Sequence, residues 1–279
     1  MPRPALSTWS IHHALGPIYS PADDNSGRLT ADRDDSGALT LLEVPERMAR
    51  LGILDLEICH FHFPSITPEY VSELRGKLLA SGVRLFSILV DSGDITHPDE
   101  RKREDQLDWI RSWIDIASDC GASHARVIAG EAEIGNTQSL DNHPAIEMSA
   151  TNLSMLAQYG KDHGVQIITE NFRTLTQRPA PLLEILKRCE GTVGLCADFG
   201  NYPRTSRLED LNAILPYATS CHAKPDYLNN GTMDRTEFDR NLVAARATGF
   251  DGPYSLIFEG EGDEWAGVET IRDAVQAFI

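Results

Sequence analysis

The sequence lacks an excess of basic residues. Its 279 residues include 42 Asp and Glu against 25 Lys and Arg, a formal net charge of −17 at pH 7. Proteins that bind a nucleic-acid backbone or an anionic membrane normally present a basic surface, and the short basic run at 101–103 lies among acids. We therefore expect neither nucleic acid nor membrane as a partner, whereas neutral sugars, polyols and cations fit. The acidity can also serve solubility alone.

Long apolar runs and paired cysteines are also missing. No stretch approaches the roughly 18 apolar residues of a membrane span, and the first residues contain no apolar core of a signal peptide. The five cysteines are scattered, odd in number and without a C-x-x-C pair, which indicates reduced thiols rather than a disulfide framework. These features predict a cytoplasmic protein.

What the sequence does contain is an alternation of short apolar runs with longer amphipathic segments. Eight runs are predicted strands, and each is followed by a predicted helix. No Gly-rich G-x-G-x-x-G turn follows the first strand, as is usual in a doubly wound sheet, so eight βα units in series favour a closed barrel. The predicted fold is an α/β, single-domain (β/α)8 TIM barrel over residues 1–279. The predicted strands are 6–11, 53–58, 84–90, 123–129, 165–170, 193–198, 219–224 and 254–259, and the predicted helices include 70–80, 106–120, 146–163, 181–189, 240–248 and 265–278.

One long loop interrupts this rhythm. Residues 16–39 are rich in Asp, Gly, Ser and Pro and separate the first strand from its helix. A loop of this length in a compact domain is usually functional or disordered. Because it leaves from the mouth of the barrel, it can be a lid over the site or a passive surface insertion.

Four polar side chains end the last four predicted strands. Glu170, Asp198, His222 and Glu259 are spaced 28, 24 and 37 residues apart, about one βα repeat each. Catalytic groups of such barrels lie at the carboxyl ends of the strands, so these four can converge, although any one of them alone can simply cap a helix. Three carboxylates and one imidazole suit one hard or borderline divalent ion. We expect Mn2+ first, with Mg2+, Co2+, Fe2+ or Zn2+ as alternatives.

Several short motifs resemble one known group of enzymes. The triplet TEN at 169–171, CADFGN at 196–201, HAK at 222–224 and FDGPYSLIFEG at 250–260 are similar to those of the xylose-isomerase-like sugar isomerases and epimerases. The resemblance covers nearly the whole chain. It implies that Glu170, Asp198, His222 and Glu259 are the metal ligands and that Glu170 and Glu259 are the acid/base pair. Asn201 stands where keto-sugar epimerases commonly carry a histidine.

The resemblance and the ligand set together predict an isomerase or epimerase of a sugar, keto-sugar or polyol. A metal ion stabilises the enediolate oxygen as a Lewis acid, while two carboxylates exchange a proton at the neighbouring carbon. A lyase that expels a β-leaving group through the same enolate is the alternative, and His60 or His12 would then be its acid. A non-catalytic sugar-binding protein is a more distant one. A homo-oligomer is also possible.

Further residues near the mouth are predicted substrate contacts. His60 and His62 share one orientation if the chain stays extended. Arg126 lies within a strand, where an unpaired charge is costly, so it should pair with a carboxylate at the mouth, such as Glu131 or Glu57, or with substrate. Lys224 can polarise a substrate oxygen or pair with Glu259. The full set of predicted substrate contacts is His12, Glu57, His60, His62, Arg126, Asn201 and Lys224, with Trp9, Phe61, Phe172 and Phe199 as a candidate apolar wall.

Overall fold

The computed structural model describes residues 1–21, 29–32, 37–135 and 139–279, and its centre is a closed barrel of eight parallel strands. Around the barrel the strand order is β1, β10, β9, β8, β7, β6, β5 and β4, and β4 pairs again with β1. The predicted (β/α)8 TIM barrel is thereby confirmed. The strands are β1 Arg3–Ser7, β2 Tyr19–Pro21, β3 Leu29–Ala31, β4 Asp55–Cys59, β5 Arg84–Val90, β6 His124–Val127, β7 Gln166–Glu170, β8 Gly194–Asp198, β9 Ala218–Ala223 and β10 Pro253–Leu256.

Helices join the barrel strands and cover their outer faces. Local chemistry fixes their ends: the Asp99 side chain accepts from two backbone N–H groups at the start of the 21-residue helix α4, and Gly121 ends it in a left-handed conformation with φ of 80°. None of the helices in the described part of the chain is long and apolar enough to cross a membrane. The helices are α1 His12–Leu15, α2 Val44–Arg50, α3 Pro68–Ser81, α4 Glu100–Cys120, α5 Pro144–Asp162, α6 Pro179–Arg188, α7 Arg207–Ile214, α8 Arg235–Ala247 and α9 Glu264–Gln276.

The barrel has two apolar regions. A large buried cluster lies between strands and helices, and a small separate cluster consists of Phe86, Ile168 and Cys196. Side chains two residues apart on a strand share a face, so Ile168 and Cys196 lie one layer below Glu170 and Asp198. The small cluster is therefore the floor beneath the strand ends. All five cysteines are free and buried.

The first and the last barrel strands end earlier than predicted. The first ends at Ser7, and Thr8–Ile11 forms a 3-10 helix whose N-cap side chain, Ser7, accepts from the N–H of Trp9. The last ends at Leu256 rather than at Glu259. The Ser10 hydroxyl donates to the Leu256 carbonyl and accepts from the N–H of Phe258. Both strands end early because side-chain hydrogen bonds replace the backbone pairing between strands at the mouth of the barrel.

The long loop at 16–39 contains a short antiparallel pair, β2 and β3. It is tied by a hydrogen bond from the Ile18 N–H to the Asp32 side chain at 2.8 Å. Ile18 reaches the cavity at the barrel mouth. Residues 22–28 and 33–36, which make up much of this loop, lie outside the described residues, so its function as a lid stays a prediction.

Candidate metal and substrate site

A cavity of about 290 Å3 opens at the carboxyl ends of the barrel strands. It receives side chains from β7, β8 and β9 and from the segment after β10. The structure places seven of the predicted site residues in its wall: Arg126, Glu170, Asp198, Asn201, His222, Lys224 and Glu259. Trp9, Phe61 and Phe172 also line it, whereas Phe199 is fully buried in the core.

Glu170, Asp198 and His222 lie side by side in this wall. The His222 Nδ1 lies 3.4 Å from Glu170 Oε1 and 3.4 Å from Asp198 Oδ2. All three side chains are buried. The ladder sets this arrangement, because β8 pairs Asp198 directly with His222 on β9, and β7 pairs Glu170 with Cys196, two residues before Asp198.

Glu57 supports the histidine from behind. Its Oε2 lies 3.0 Å from His222 Nε2, and the side chain is fully buried, away from the cavity wall. The geometry therefore gives Glu57 a contact with the histidine rather than the predicted contact with substrate. Burial alone would lower the pKa of His222, but the neighbouring carboxylates of Glu170 and Glu57 and hydrogen bonding to Asp198 raise it well above its ordinary value.

Asp198 is held by one backbone group and by one side-chain amide. Its Oδ1 accepts from the Gly200 N–H at 2.6 Å. The Asn171 amide donates to the Asp198 carbonyl at 3.0 Å and accepts from its N–H at 2.7 Å. Burial would raise the pKa of Asp198, but hydrogen bonding to His222 and the charge of Lys224 lower it below its ordinary value.

A divalent ion suits this group of donors. The buried Glu170 Oε2 accepts no aligned hydrogen bond in the described part of the chain, and its polar contact is the ion pair with Arg126 Nε at 2.9 Å. Ligand atoms of Glu170, Cys196 and His222 lie within 4.8 Å of one another. We favour Asp198 over Cys196 as the third ligand, because Asp198 lines the cavity while burial raises the pKa of the Cys196 thiol to about 11 and keeps it protonated.

Glu259 lies on a different part of the wall and is already engaged. Its Oε1 accepts from Lys224 Nζ at 2.7 Å and from the Trp9 indole N–H at 2.9 Å. Lys224 therefore makes the predicted ion pair with Glu259. Gly200 leaves room for this, because a Cβ there would lie 2.7 Å from the Lys224 side chain.

Arg126 pairs with carboxylates at the mouth, as predicted. It donates to Asp91, and its Nε lies 2.9 Å from Glu170 Oε2 in an ion pair not aligned for a hydrogen bond. The two carboxylates suggested from the sequence, Glu131 and Glu57, were wrong, because Asp91 follows β5 directly and lies beside Arg126. Burial would lower the pKa of Arg126, but Asp91 and Glu170 raise it. Asn201 donates to Glu170 Oε1 at 3.0 Å, so Glu170 has a polar neighbour at each oxygen.

The three histidines predicted as substrate contacts in the first half of the barrel, His12, His60 and His62, are not among the described residues that line the cavity. His60 and His62 form a 3-10 turn after β4, so the extended chain assumed for them is wrong. Burial lowers the pKa of His60 to about 4 and that of His62 to about 3. His62 Nδ1 is 2.8 Å from the Thr8 hydroxyl, and His12 stacks on Trp9 with ring centroids 4.5 Å apart.

Comparison with known protein families agrees with this architecture. The family model described as xylose isomerase-like TIM barrel matches residues 45–278. The chain belongs to this family. The match covers most of the xylose isomerase-like barrel, including all four predicted metal ligands. A comparison with curated protein sequences found no match.

Solved structures of other xylose isomerase-like barrels are similar in fold. An L-ribulose 3-epimerase aligns with a TM-score of 0.69 at 15% identity, over 99% of this chain and 95% of that one. A 3-keto-D-glucoside 4-epimerase from E. coli aligns with a TM-score of 0.64 at 16% identity, over 85% and 94%. A barrel from Mycobacterium smegmatis in complex with magnesium aligns with a TM-score of 0.61 at 16% identity, over 98% and 97%.

Four site residues of this xylose isomerase-like barrel escaped the sequence analysis. Asp91 follows β5 directly and was detectable by the same strand-end rule that selected the ligands. Asn171 and Cys196 lie inside the motifs TEN and CADFGN but gave no sign of their contacts. Arg173 lines the cavity, and no pattern in the sequence singles it out.

Proposed function

We propose that this protein is a divalent-metal-dependent isomerase or epimerase of a sugar, keto-sugar or polyol. The observation that carries the proposal is the group of Glu170, Asp198 and His222, buried side by side in the wall of a sugar-sized cavity. The similar solved structures support it, because their names describe sugar 3- and 4-epimerases.

Glu170, Asp198, His222 and Glu259 would hold the ion. When bound, it would supply Lewis-acid stabilisation of the oxygen that becomes negative as the neighbouring carbon loses its proton. The mostly oxygen donor set favours Mn2+ or Mg2+, with Co2+, Fe2+ and Zn2+ as alternatives. The related barrel in complex with magnesium supports this choice.

Glu170 and Glu259 would exchange the proton. They are anchored by different cations, Glu170 by Arg126 and Glu259 by Lys224, so each carboxylate is oriented independently of the other. An epimerase must remove a proton from one face of a carbon and return it to the other. The presence of two separately held carboxylates in the wall of one cavity supports this assignment.

The remaining polar groups of the wall would bind the substrate. Asn201 donates to Glu170 and reaches the cavity, so it can bind a substrate hydroxyl while it positions the carboxylate. Lys224 can do the same beside Glu259. Trp9 and Phe172 offer apolar faces on which the C–H groups of a sugar can pack.

The lyase alternative receives less support. A lyase needs an acid near the leaving group, and the acids considered for it were His60 and His12. Neither residue lines the cavity, and the lowered pKa of His60 leaves that side chain neutral near pH 7. The first step would be the same in both reactions, so the products decide between them.

Solvent exchange tests the proposal directly. The protein loaded with Mn2+ or Mg2+ is incubated in D2O with a panel of ketoses, inososes and 3-keto-glycosides, beside Glu170→Gln. We expect NMR to show metal-dependent deuterium incorporation next to the carbonyl, which Glu170→Gln abolishes. No incorporation with any compound, together with no metal retained after dialysis, would point to the non-catalytic alternative.

A further inference from the structure

A second cleft adjoins the proposed metal-binding cavity and has no part in the proton exchange. Its volume is about 800 Å3, compared with about 290 Å3 for the cavity that contains Glu170 and His222. Asn201 lines both spaces. Because this side chain also donates to Glu170, the cleft begins one hydrogen bond away from the proposed acid/base pair.

The walls of the cleft combine apolar surface with hydrogen-bonding groups. Leu175, Pro181 and Pro203 supply apolar surface, and Gln177 and Arg178 supply exposed polar groups. Small-molecule sites typically show this combination of apolar walls with a few polar groups that fix orientation. A sugar ring, with apolar C–H faces and a hydroxyl rim, matches it.

Tyr202 adds a polar group in the same wall. It is almost fully buried, and its hydroxyl has no hydrogen-bond partner among the residues that the structure describes. A buried hydroxyl without a partner is uncommon in folded proteins. Because the hydroxyl is itself buried, a ligand in the cleft would reach it only after a local opening of the wall.

Arg173 stands at the junction of the two spaces in an unfavourable backbone conformation. Its φ of 68° with ψ of 179° belongs to a region that only glycine adopts readily. Phe172 and Arg173 line the first cavity, whereas the next residues, Thr174 and Leu175, line the cleft. The strained residue is therefore the point at which the chain passes from one wall to the other.

The Arg173 side chain is held across this junction. Its guanidinium stacks over Phe172 at 4.7 Å and donates to the Asp91 carbonyl at 3.3 Å. Glycine at this position would relieve the backbone but would remove these contacts. Strain of this kind persists only where surrounding contacts maintain it, and it concentrates at ligand sites.

We propose that the substrate is a keto-sugar joined through a glycosidic bond to a second sugar ring. The keto-sugar ring occupies the cavity of Glu170 and His222, and the second ring lies in the cleft beyond Arg173. This inference rests on the proposed function, since it assigns the reacting ring to the metal-binding cavity. It adds that the enzyme selects glycosides over free ketoses.

The first test fills the cleft without touching the proposed acid/base pair. Gln177→Trp places a large side chain in the cleft wall, and Gln158→Trp on the outer helix α5 is the matched control. We expect wild-type kcat/KM for a 3-keto-disaccharide to exceed that for a free ketose by about tenfold or more. Gln177→Trp should remove most of this preference and leave the free ketose within about twofold, whereas Gln158→Trp should change neither value.

A binding measurement decides the same question without turnover. Cellobiose is added to wild type and to Gln177→Trp, and saturation transfer from the protein is measured by NMR for each ring. We expect signal on both rings with wild type and loss of one ring's signal with the variant. Equal signals in the two proteins, or turnover of free ketoses with no preference for disaccharides, would overturn the cleft assignment and leave the isomerase proposal intact. Absence of deuterium exchange on every compound would overturn the isomerase proposal. The cellobiose measurement would still show whether a second sugar ring binds in the cleft.

Arg173→Gly separates a binding role from a purely structural one. The variant should melt at the same temperature as wild type or higher, because the backbone strain is relieved. Its preference for disaccharides should fall by about tenfold. A lower melting temperature with an unchanged preference would show that Arg173 only supports the loop.

Discussion

The two halves of the barrel end their strands in different ways. In the second half, β7, β8 and β9 carry Glu170, Asp198 and His222 as part of the ladder, so neighbouring strands bring these side chains into contact. In the first half, β1 and β4 pass directly into 3-10 turns. Glu57, His60 and His62, which lie on β4 and in the turn after it, are not among the described residues that line the cavity, whereas Asp91 and Arg126 of the same half are.

The histidines show what this difference means. His222 faces carboxylates on both ring nitrogens, whereas His60 packs edge-on against Trp109 and Trp113 at 5.2 and 5.4 Å. The pKa of His222 is raised by its acidic neighbours, and the pKa of His60 is lowered to about 4 by burial. One residue type thus belongs to a charged site in one half and to an apolar core in the other.

The largest expected effect lies in the second half. Glu170→Gln keeps the shape of the side chain but removes the proposed base and a ligand charge, so proton exchange should fall by about 10³-fold or more. His62→Gln, in the first half, is the matched control and should change exchange by less than about tenfold. Deuterium incorporation rates measure both. Similar losses of the exchange rate in the two variants would show that the two halves do not differ in function.

The acid stability of the protein should depend on the first half. His60 and His62 are neutral when folded, with pKa values lowered to about 4 and about 3, whereas an unfolded histidine titrates near 6.5. The unfolded chain therefore binds more protons than the folded one below about pH 6.5. The free energy of unfolding is highest above that pH and falls as the pH drops towards 4, by about 3 kcal/mol or less for His60.

Denaturant unfolding between pH 7 and 4 checks this expectation. The double variant His60→Gln, His62→Gln should lose less stability over that interval than wild type, whatever its stability at pH 7. Parallel curves for the two proteins would mean that these histidines are not held neutral by burial.

A divalent metal ion should stabilise the folded protein through the residues of the second half. At a hundred times its dissociation constant, a bound ion adds about 2.7 kcal/mol to the free energy of unfolding, or roughly 5 °C in melting temperature for a chain of this size. We expect Mn2+ to raise the melting temperature of wild type and not that of His222→Gln.

His13→Gln serves as the control, since His12, His13 and Glu264 form another group with ligand atoms within 4.8 Å of one another. Loss of the Mn2+ shift in His13→Gln, but not in His222→Gln, would move the metal to that group.

The smallest effect concerns the contact that links the two halves. Glu57 on β4 holds His222 on β9 across the barrel, and loss of such a support to a ligating histidine typically costs 10- to 100-fold in metal affinity. Glu57→Gln should weaken Mn2+ binding by that amount in calorimetric titrations while the protein stays folded. Unchanged affinity would show that the ladder alone orients His222.

The side chains at the ends of β7, β8 and β9 could be predicted from the sequence for a physical reason. Apolar runs that end in Glu170, Asp198 and His222 are regular strands, so counting along the chain was enough to place their last side chains together. His60 and His62 follow the apolar run of β4, but no pattern in the sequence indicates the 3-10 turn after Cys59. The contacts of Asn171 and Asp91 depend on how neighbouring strands are offset, which a single sequence does not contain.

The amide of Asn171 has a consequence for the dynamics of the site. It bonds both the N–H and the carbonyl of Asp198, and so acts as one more rung between β7 and β8 where the backbone ladder stops. The Asp198 amide hydrogen can then exchange with solvent only when the ends of both strands open together. We expect it to be among the slow-exchanging amides of the protein, although it lies beside an open cavity, and Glu170 and Asp198 to move as one rigid unit.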